Sequence, residues 1–330
     1  KRDGGCLRAA LLVFGFLASA EVAGPKADDQ DLLRAARLND PVLIRKILDR
    51  SGQDLSDRDG QDLTALHWAA LRGTVSILAM LLEAGADIAS AGGAYGRTAV
   101  HLVSCQGYHE AIPLLIAKGA YVNVRDRTGL TPLHLAARRG SVPSIGLLID
   151  AGAVVTARDK LGLTPLHWAC HQGIEEAARL LLDEGFGGSN GRFRLDPLHL
   201  AAWGGFRGLV ETLIDLGAPL NATDMWGLTA LHLAAQNDNT DAIRILVARG
   251  ADLTIKDARG RTAMDLAEMF GFKDSMVIIA GANRRCFLIN EKLFSGDTLF
   301  FDSIGRVYGA DGSERERKVR SLVDEISQSL

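Results

Sequence analysis

Six of the eight histidines recur at nearly constant spacing: His67, His101, His134, His167, His199 and His232. Imidazole is a metal ligand, a general base and a proton carrier near neutral pH, so a histidine ladder is the first place to look for chemistry. A shared metal needs ligands that converge on one ion at about 2 Å. Side chains repeated once per structural unit sit about 10 Å apart, the packing distance of neighbouring helices, and cannot converge. His167 and His171 fall on one helix face at i, i+4 spacing, but no third ligand lies near them in sequence. There is no G-x-S-x-G, H-E-x-x-H, C-x-x-C or P-loop pattern. The Gly-rich stretch GFGGSNG at 185–191 lacks the Gly-Lys-Ser/Thr ending of a phosphate cradle. Carboxylate pairs are scattered and none stands out. The residues therefore nominate no catalytic group, no metal site and no cofactor.

The elements that carry the histidines are more informative. Each lies in the fourth place of a repeated word: TALHWAA, TAVHLVS, TPLHLAA, TPLHWAC, DPLHLAA and TALHLAA, with TAMDLAE as a seventh copy. The words start at Thr64, Thr98, Thr131, Thr164, Asp196, Thr229 and Thr262, with gaps of 34, 33, 33, 32, 33 and 33 residues. Such a period marks a repeat architecture. Thr or Asp is a good helix N-cap, because its side-chain oxygen accepts a free N–H of the first turn. Pro or Ala suits the next position. Nine residues after most starts comes a Gly, where the left-handed conformation ends the helix. A second helix follows with apolar residues at 3–4 spacing, as at Ile77, Leu78, Leu81 and Leu82. The segments between units carry Asp-x-x-Gly turn chemistry, as in DRTG at 126–129.

Over residues 29–283 the chain resembles the ankyrin-repeat family, whose unit is a helix–turn–helix with a hairpin loop. The resemblance implies an all-α fold: an ankyrin-repeat solenoid of helix-turn-helix units with β-hairpin loops, plus a small C-terminal hairpin/helix extension. Seven units start near 59, 93, 126, 159, 191, 224 and 257, after a degenerate capping unit at 29–58. The resemblance also gives the histidines a structural task, bonding near the capping Thr and tying one hairpin to the next. Departures are visible. GFGGSNGRFRLD at 185–196 is one residue short and predicts a looser junction between the fourth and fifth units. Pro113 falls in a second helix, and Asp238 replaces the expected Gly. Cys170 stands where a small packed Ala is usual, and Trp68 and Trp168 read as packing between units. Cys105 and Cys170 lie two units apart, about 20 Å, beyond disulfide reach. Of the two, Cys170 fits a buried thiol better.

Solenoids of this kind present a concave surface. The resemblance implies that hairpin tips and the exposed ends of the first helices line it. The matching positions hold Tyr95, Arg127, Arg138, Arg139, Lys160, His171, Arg192, Phe193, Trp203, Met225 and Trp226. Arg and aromatic residues dominate binding hot spots. A basic, aromatic stripe in a chain of net charge −3 favours a protein partner with an acidic segment. The acidic balance and the habit of the family argue against nucleic acid. The expected function is a non-enzymatic scaffold for protein–protein binding. The alternative is a substrate-recognition subunit of an enzyme or enzyme complex, with activity or docking in the C-terminal extension.

The two ends read differently. KRDGGCLR, an apolar run and Ala18-Ser19-Ala20 have the layout of a secretory signal peptide cleaved after Ala20, followed by a linker at 21–28. Its removal takes three cations and one anion and moves the net charge from −3 to −5. The chain would then be secreted or exported, with no membrane span; a cytoplasmic location is the alternative. Residues 284–330 leave the repeat. TLFFDSIGRVYG at 298–309 suits a short hairpin. An amphipathic helix is expected over 314–329, capped by Ser313 and Glu316, with Val319, Leu322, Val323 and Ile326 on one face.

Overall fold

A computed structural model describes residues 32–50, 53–183 and 193–282. The leader and linker expectations, the glycine-rich junction, Arg192 and the C-terminal extension lie outside the described residues. What is described is a succession of antiparallel helix pairs. The first pair is Leu32–Leu38 with Pro41–Leu48. Then follow Ala65–Arg72 with Val75–Glu83, Ala99–Gln106 with Ala111–Ala117, and Pro132–Arg139 with Val142–Asp150. Next come Pro165–Gln172 with Glu175–Asp183, Pro197–Gly204 with Arg207–Asp215, and Ala230–Gln236 with Thr240–Ala248. Ala263–Phe270 pairs with a helix at 273–282. First helices pack on first helices of the adjacent units, and second helices pack likewise, which makes two layers.

Alanine sets the spacing of the first-helix layer. Ala69 and Ala70, Ala136 and Ala137, Ala201 and Ala202, and Ala234 and Ala235 are fully buried between neighbouring helices. The second layer buries the apolar stripe of each helix, as at Ile77, Leu78 and Leu81, or Ile145 and Leu148. Each such side chain contributes about 1.5–3 kcal/mol when buried. These helices of seven to nine residues are too short to persist alone, so stability comes from stacking.

Local departures resolve without breaking the stack. Pro113 lies in the first turn of Ala111–Ala117, where no N–H is needed. Asp238 adopts φ 56° in the position that Gly takes elsewhere. Gly173 cannot be replaced so easily. Its φ is 73°, and a Cβ there would come within 2.4 Å of the Phe206 ring of the next unit. The loop tips are short. Their one backbone bridge pair among the described residues is Gly92 with Arg97. The tips are held instead by aspartates. Oδ1 of Asp126 accepts the N–H groups of Thr128 and Leu130, and Asp159 and Asp224 do the same two and four residues on. Consecutive tips are stitched by main-chain bonds, Arg127 N–H to Tyr95 C=O at 2.8 Å and Ala258 N–H to Trp226 C=O at 2.8 Å.

Candidate binding face

The histidines sit inside the first-helix layer, each at most 1% exposed. Nδ1 accepts the capping residue's backbone N–H, from Thr64, Thr98, Thr131, Thr164, Asp196 and Thr229 in turn. Nε2 then carries the proton and donates to a carbonyl of the next unit. The acceptors are Arg97, Leu130, Leu163, Leu195, Leu228 and Arg261, at 2.9–3.1 Å. Protonation would set N–H against N–H at Nδ1. Burial holds all six below the usual imidazole value, to about 4 at His101, His167 and His199 and about 3 at His134. The imidazoles therefore stay neutral and structural near neutral pH. Among the described residues no group of three or more His, Cys, Asp or Glu side chains could hold a metal ion.

The tip aspartates join this framework. Trp68 Nε1 donates to Asp59 Oδ2 at 2.8 Å, and Trp168 Nε1 donates to Asp159 Oδ2 at 3.1 Å. Both indoles thus tie a first helix to its own tip, a bond that the packing role expected from sequence did not include. Asp126 takes its partner from the preceding unit: Arg97 Nε donates to Oδ2 at 3.1 Å. Arg97 is buried, with its guanidinium over the Tyr95 ring at 4.8 Å. Sequence reasoning missed Arg97. The signal was present, because Leu63, Leu130, Leu163, Leu195 and Leu228 hold the same place in other units. Cys105 is buried at 7% exposure and Cys170 fully, in the order expected from sequence. The Cys105 sulfur lies between Arg97 Nη1 at 3.9 Å and Arg138 Nη2 at 3.7 Å. Burial pushes the Cys170 thiol strongly up, so it stays protonated.

The residues expected at the surface fall into two fields along the tips and first helices. Arg127, Arg138, Arg139 and Lys160 lie in the third and fourth units. All but the half-buried Arg138 are exposed, and none of the four belongs to an ion pair among the described residues. His171, Phe193, Trp203, Met225 and Trp226 lie in the fourth to sixth units. His171 stacks on Trp203 with ring centres 5.9 Å apart, and Phe193 stacks on Trp226 at 5.9 Å. His171 also meets the edge of Trp168, and Arg138 lies over Trp168 at 5.8 Å. Tyr95 is set apart in the second unit, on Arg97. The two tryptophans are half-buried by these stacks rather than freely exposed, whereas Met225 is 48% exposed.

Charge separates between the two layers. In the third and fourth units the tip aspartates Asp126 and Asp159 are buried and engaged, so the carboxylates there are turned inward. The exposed or half-exposed carboxylates of the second to fourth units, Glu110, Asp150, Glu175, Glu176 and Asp183, belong to the second helices and their caps. Among the described residues no helix is long and apolar enough to cross a membrane.

Comparison with known proteins agrees with this geometry. The family model for ankyrin repeats (3 copies) matches residues 32–126, 106–190 and 198–284. The chain is 33% identical over 99 residues to the palmitoyltransferase Hip14 of Drosophila melanogaster, covering 30% of this chain and 15% of that protein. It is 38% identical over 94 residues to the tyrosine-protein kinase HTK16 of Hydra vulgaris, covering 28% of this chain and 12% of the kinase. The chain thus spans only a small part of these curated relatives. Among solved structures, the human ASB11 ankyrin repeat domain superposes with a TM-score of 0.58 at 28% identity, over 62% of this chain and 92% of that one. The chain belongs to the ankyrin-repeat family.

Proposed function

We propose that the chain is a non-enzymatic scaffold that binds a protein partner through a concave face built from the tips and first helices. The carrying observation is the separation of charge in the third and fourth units, with unpaired cations on the tips and first helices and the exposed carboxylates on the second helices and their caps. Complementary potential speeds encounter and selects partners, so the partner segment is acidic. Nucleic acid is disfavoured by the overall net charge of −3. Affinity capture from the source organism tests the reading, with the wild type beside a Trp203→Ala/Trp226→Ala/Arg139→Ala variant. Partners held by the wild type and lost by the variant are expected; equal retention by both moves the site off this face.

A second reading has one observation behind it. Several relatives that share the repeats are enzymes by name, among them a palmitoyltransferase and a tyrosine-protein kinase. In that reading the repeats select a substrate for an enzyme or enzyme complex, with any activity or docking in residues 284–330. Turnover by the purified chain that disappears on deleting 284–330 supports it; no turnover with partner binding intact removes it. Export rests on the leader-like sequence before Ala20. N-terminal sequencing of the chain from its source, starting at Glu21, is the expected result.

A further inference from the structure

We propose that the concave face takes one extended bipartite protein segment, with carboxylates at one end against units three and four and an aromatic or proline anchor at the other against units five and six. This rests on the binding reading above and adds the order, spacing and chemistry of the ligand.

The cation field comes first. Arg127, Arg139 and Lys160 are exposed and outside any ion pair among the described residues. Arg127 directs Nη1 to the Ala94 carbonyl at 3.2 Å, which fixes its head at the tip. Arg138 is fixed by the Trp168 ring and the Cys105 sulfur. Guanidinium groups accept carboxylates in a two-point geometry, so positioned arginines favour an acidic cluster over a lone charge.

The ring stacks follow the cation field along the units, with exposed Arg194 beside Phe193 at the tip of unit five. The two stacks form two rows, Phe193 and Trp226 at the tips, His171 and Trp203 on the first helices. Exposed Met225 adjoins the tip row and supplies an adaptable apolar contact. Flat rings held in place suit an apolar ring such as Trp or Pro, because little side-chain freedom is lost on contact. Contacts run without a gap from Tyr95 through Arg97, Cys105, Arg138, Trp168 and His171 to Trp203. This chain of contacts links the two fields through Arg138 on one side and His171 and Trp203 on the other.

The separation sets the ligand's length. From unit three to unit six is three steps of about 10 Å, or about 30 Å. An extended chain covers that distance in about nine residues. A nucleic acid strand carries a phosphate and a base in every nucleotide and would call for cations and rings interleaved along the groove. Here exposed Arg127, Arg139 and Lys160 are grouped in units three and four and the two ring stacks in units four to six, with exposed Arg194 beside Phe193.

The test is titration calorimetry with synthetic probes and the full chain. The bipartite probe is Glu-Glu-Glu-Glu, a flexible five-residue spacer, then Trp-Pro. The others are each half alone, the same ends without the spacer, and a twelve-nucleotide oligouridine. The bipartite probe is expected to bind at least about 30-fold tighter than either half, because the spacer makes the second contact intramolecular. Arg139→Glu/Lys160→Glu, both exposed, should reduce it to the level of the Trp-Pro half and remove most of its salt dependence. Trp203→Ala/Trp226→Ala should reduce it to the level of the acidic half and keep the salt dependence; circular dichroism confirms that each variant is folded. A bipartite probe no tighter than its better half overturns the inference, as does equal binding without the spacer or stronger binding of the oligouridine. If no probe binds while captured partners still depend on Trp203, Trp226 and Arg139, the bipartite ligand is wrong and the scaffold reading stands. If the captured partners ignore those residues, the scaffold face itself is wrong.

Discussion

Units four and five are neighbours built on different residues. Unit four folds its tip with Asp159, turns at Gly162 with φ 83°, and caps its first helix with Thr164. Unit five has Gly191, Arg194 and Asp196 at those three places. Arg194 is forced to φ 51°, and Asp196 is buried with Oδ2 lacking a hydrogen-bond partner. Yet His167 reaches the Leu195 carbonyl at 2.9 Å, and His199 reaches that of Leu228 at 3.0 Å. The alanine-lined helices continue across the boundary. Tip chemistry is therefore replaceable while the imidazole bond and the alanine contact are kept. The unit that gives up its tip anchors is also the one that contributes Phe193 and Trp203 to the aromatic field.

Acid should have the largest effect, through buried imidazoles and buried carboxyls that act in opposite directions. The six ladder histidines have lowered values, so stability is full above about pH 6.5 and is lost as pH falls toward 4. Asp196 runs the other way. Burial raises its carboxyl to about 6, so its ionised form costs stability above that pH and the cost fades on acidification. Burial raises Asp159 and Asp224 as well; six imidazoles still outweigh three carboxyls, and urea unfolding should show a net loss of several kcal/mol, on the order of 1 or more per imidazole, between pH 6.5 and 4. The fall should be steeper in Asp196→Asn. A flat profile would remove the neutral-imidazole account.

Next comes the ladder itself. His134→Ala leaves the buried Thr131 N–H unpaired and takes one of two donors from the Leu163 carbonyl, while His167→Ala leaves both the Thr164 N–H and the Leu195 carbonyl without that partner; the costs should be about 2 and about 3 kcal/mol. A cost below about 1 kcal/mol for His167→Ala alone would mean that the boundary between units four and five does not transmit the stack.

Exchanging the caps sharpens the contrast. Asp196→Thr should stabilise unit five by about 2 kcal/mol at pH 7.5 and have little effect at pH 4. Thr164→Asp should impose a comparable penalty on unit four at pH 7.5. Hydrogen exchange of the amides in 165–172 and 197–204 reads the two locally. The smallest effect belongs to the turn: Arg194→Gly should gain about 1 kcal/mol and Gly162→Ala should lose about as much, in thermal melts at pH 7.5. Equal and opposite signs are required if the left-handed turn is what distinguishes the two tips.

The fold was readable because its information is local and repeated. The capping Thr, the fourth-place His and the closing Gly each act within one helix, so their spacing carries the geometry. The proposed face was readable only as positions, and among them His171 meets Trp203 and Phe193 meets Trp226. The contacts that escaped run between units: Arg97 with Asp126, and Arg138 with Cys105. They join residues about one repeat apart whose rotamers depend on how successive units are turned, which a one-dimensional period does not specify. The indole bonds to Asp59 and Asp159 were missed for a simpler reason. The tip folds back over its own helix, so residues nine apart become neighbours.

The ladder also has a direction in time. Each imidazole N–H reaches a carbonyl that lies 28–30 residues further along, so during synthesis from the N-terminus the newest unit carries an unmet donor, except that His199 also meets the Ala222 carbonyl of its own unit at 3.1 Å. That donor is a sticky growing end, satisfied only when the next repeat emerges and docks. In TAMDLAE the fourth place is Asp265, whose carboxylate takes the Thr262 N–H at 2.8 Å just as the imidazoles do, but has no proton to hand forward. One substitution thus converts a propagating unit into a terminator of the donor relay.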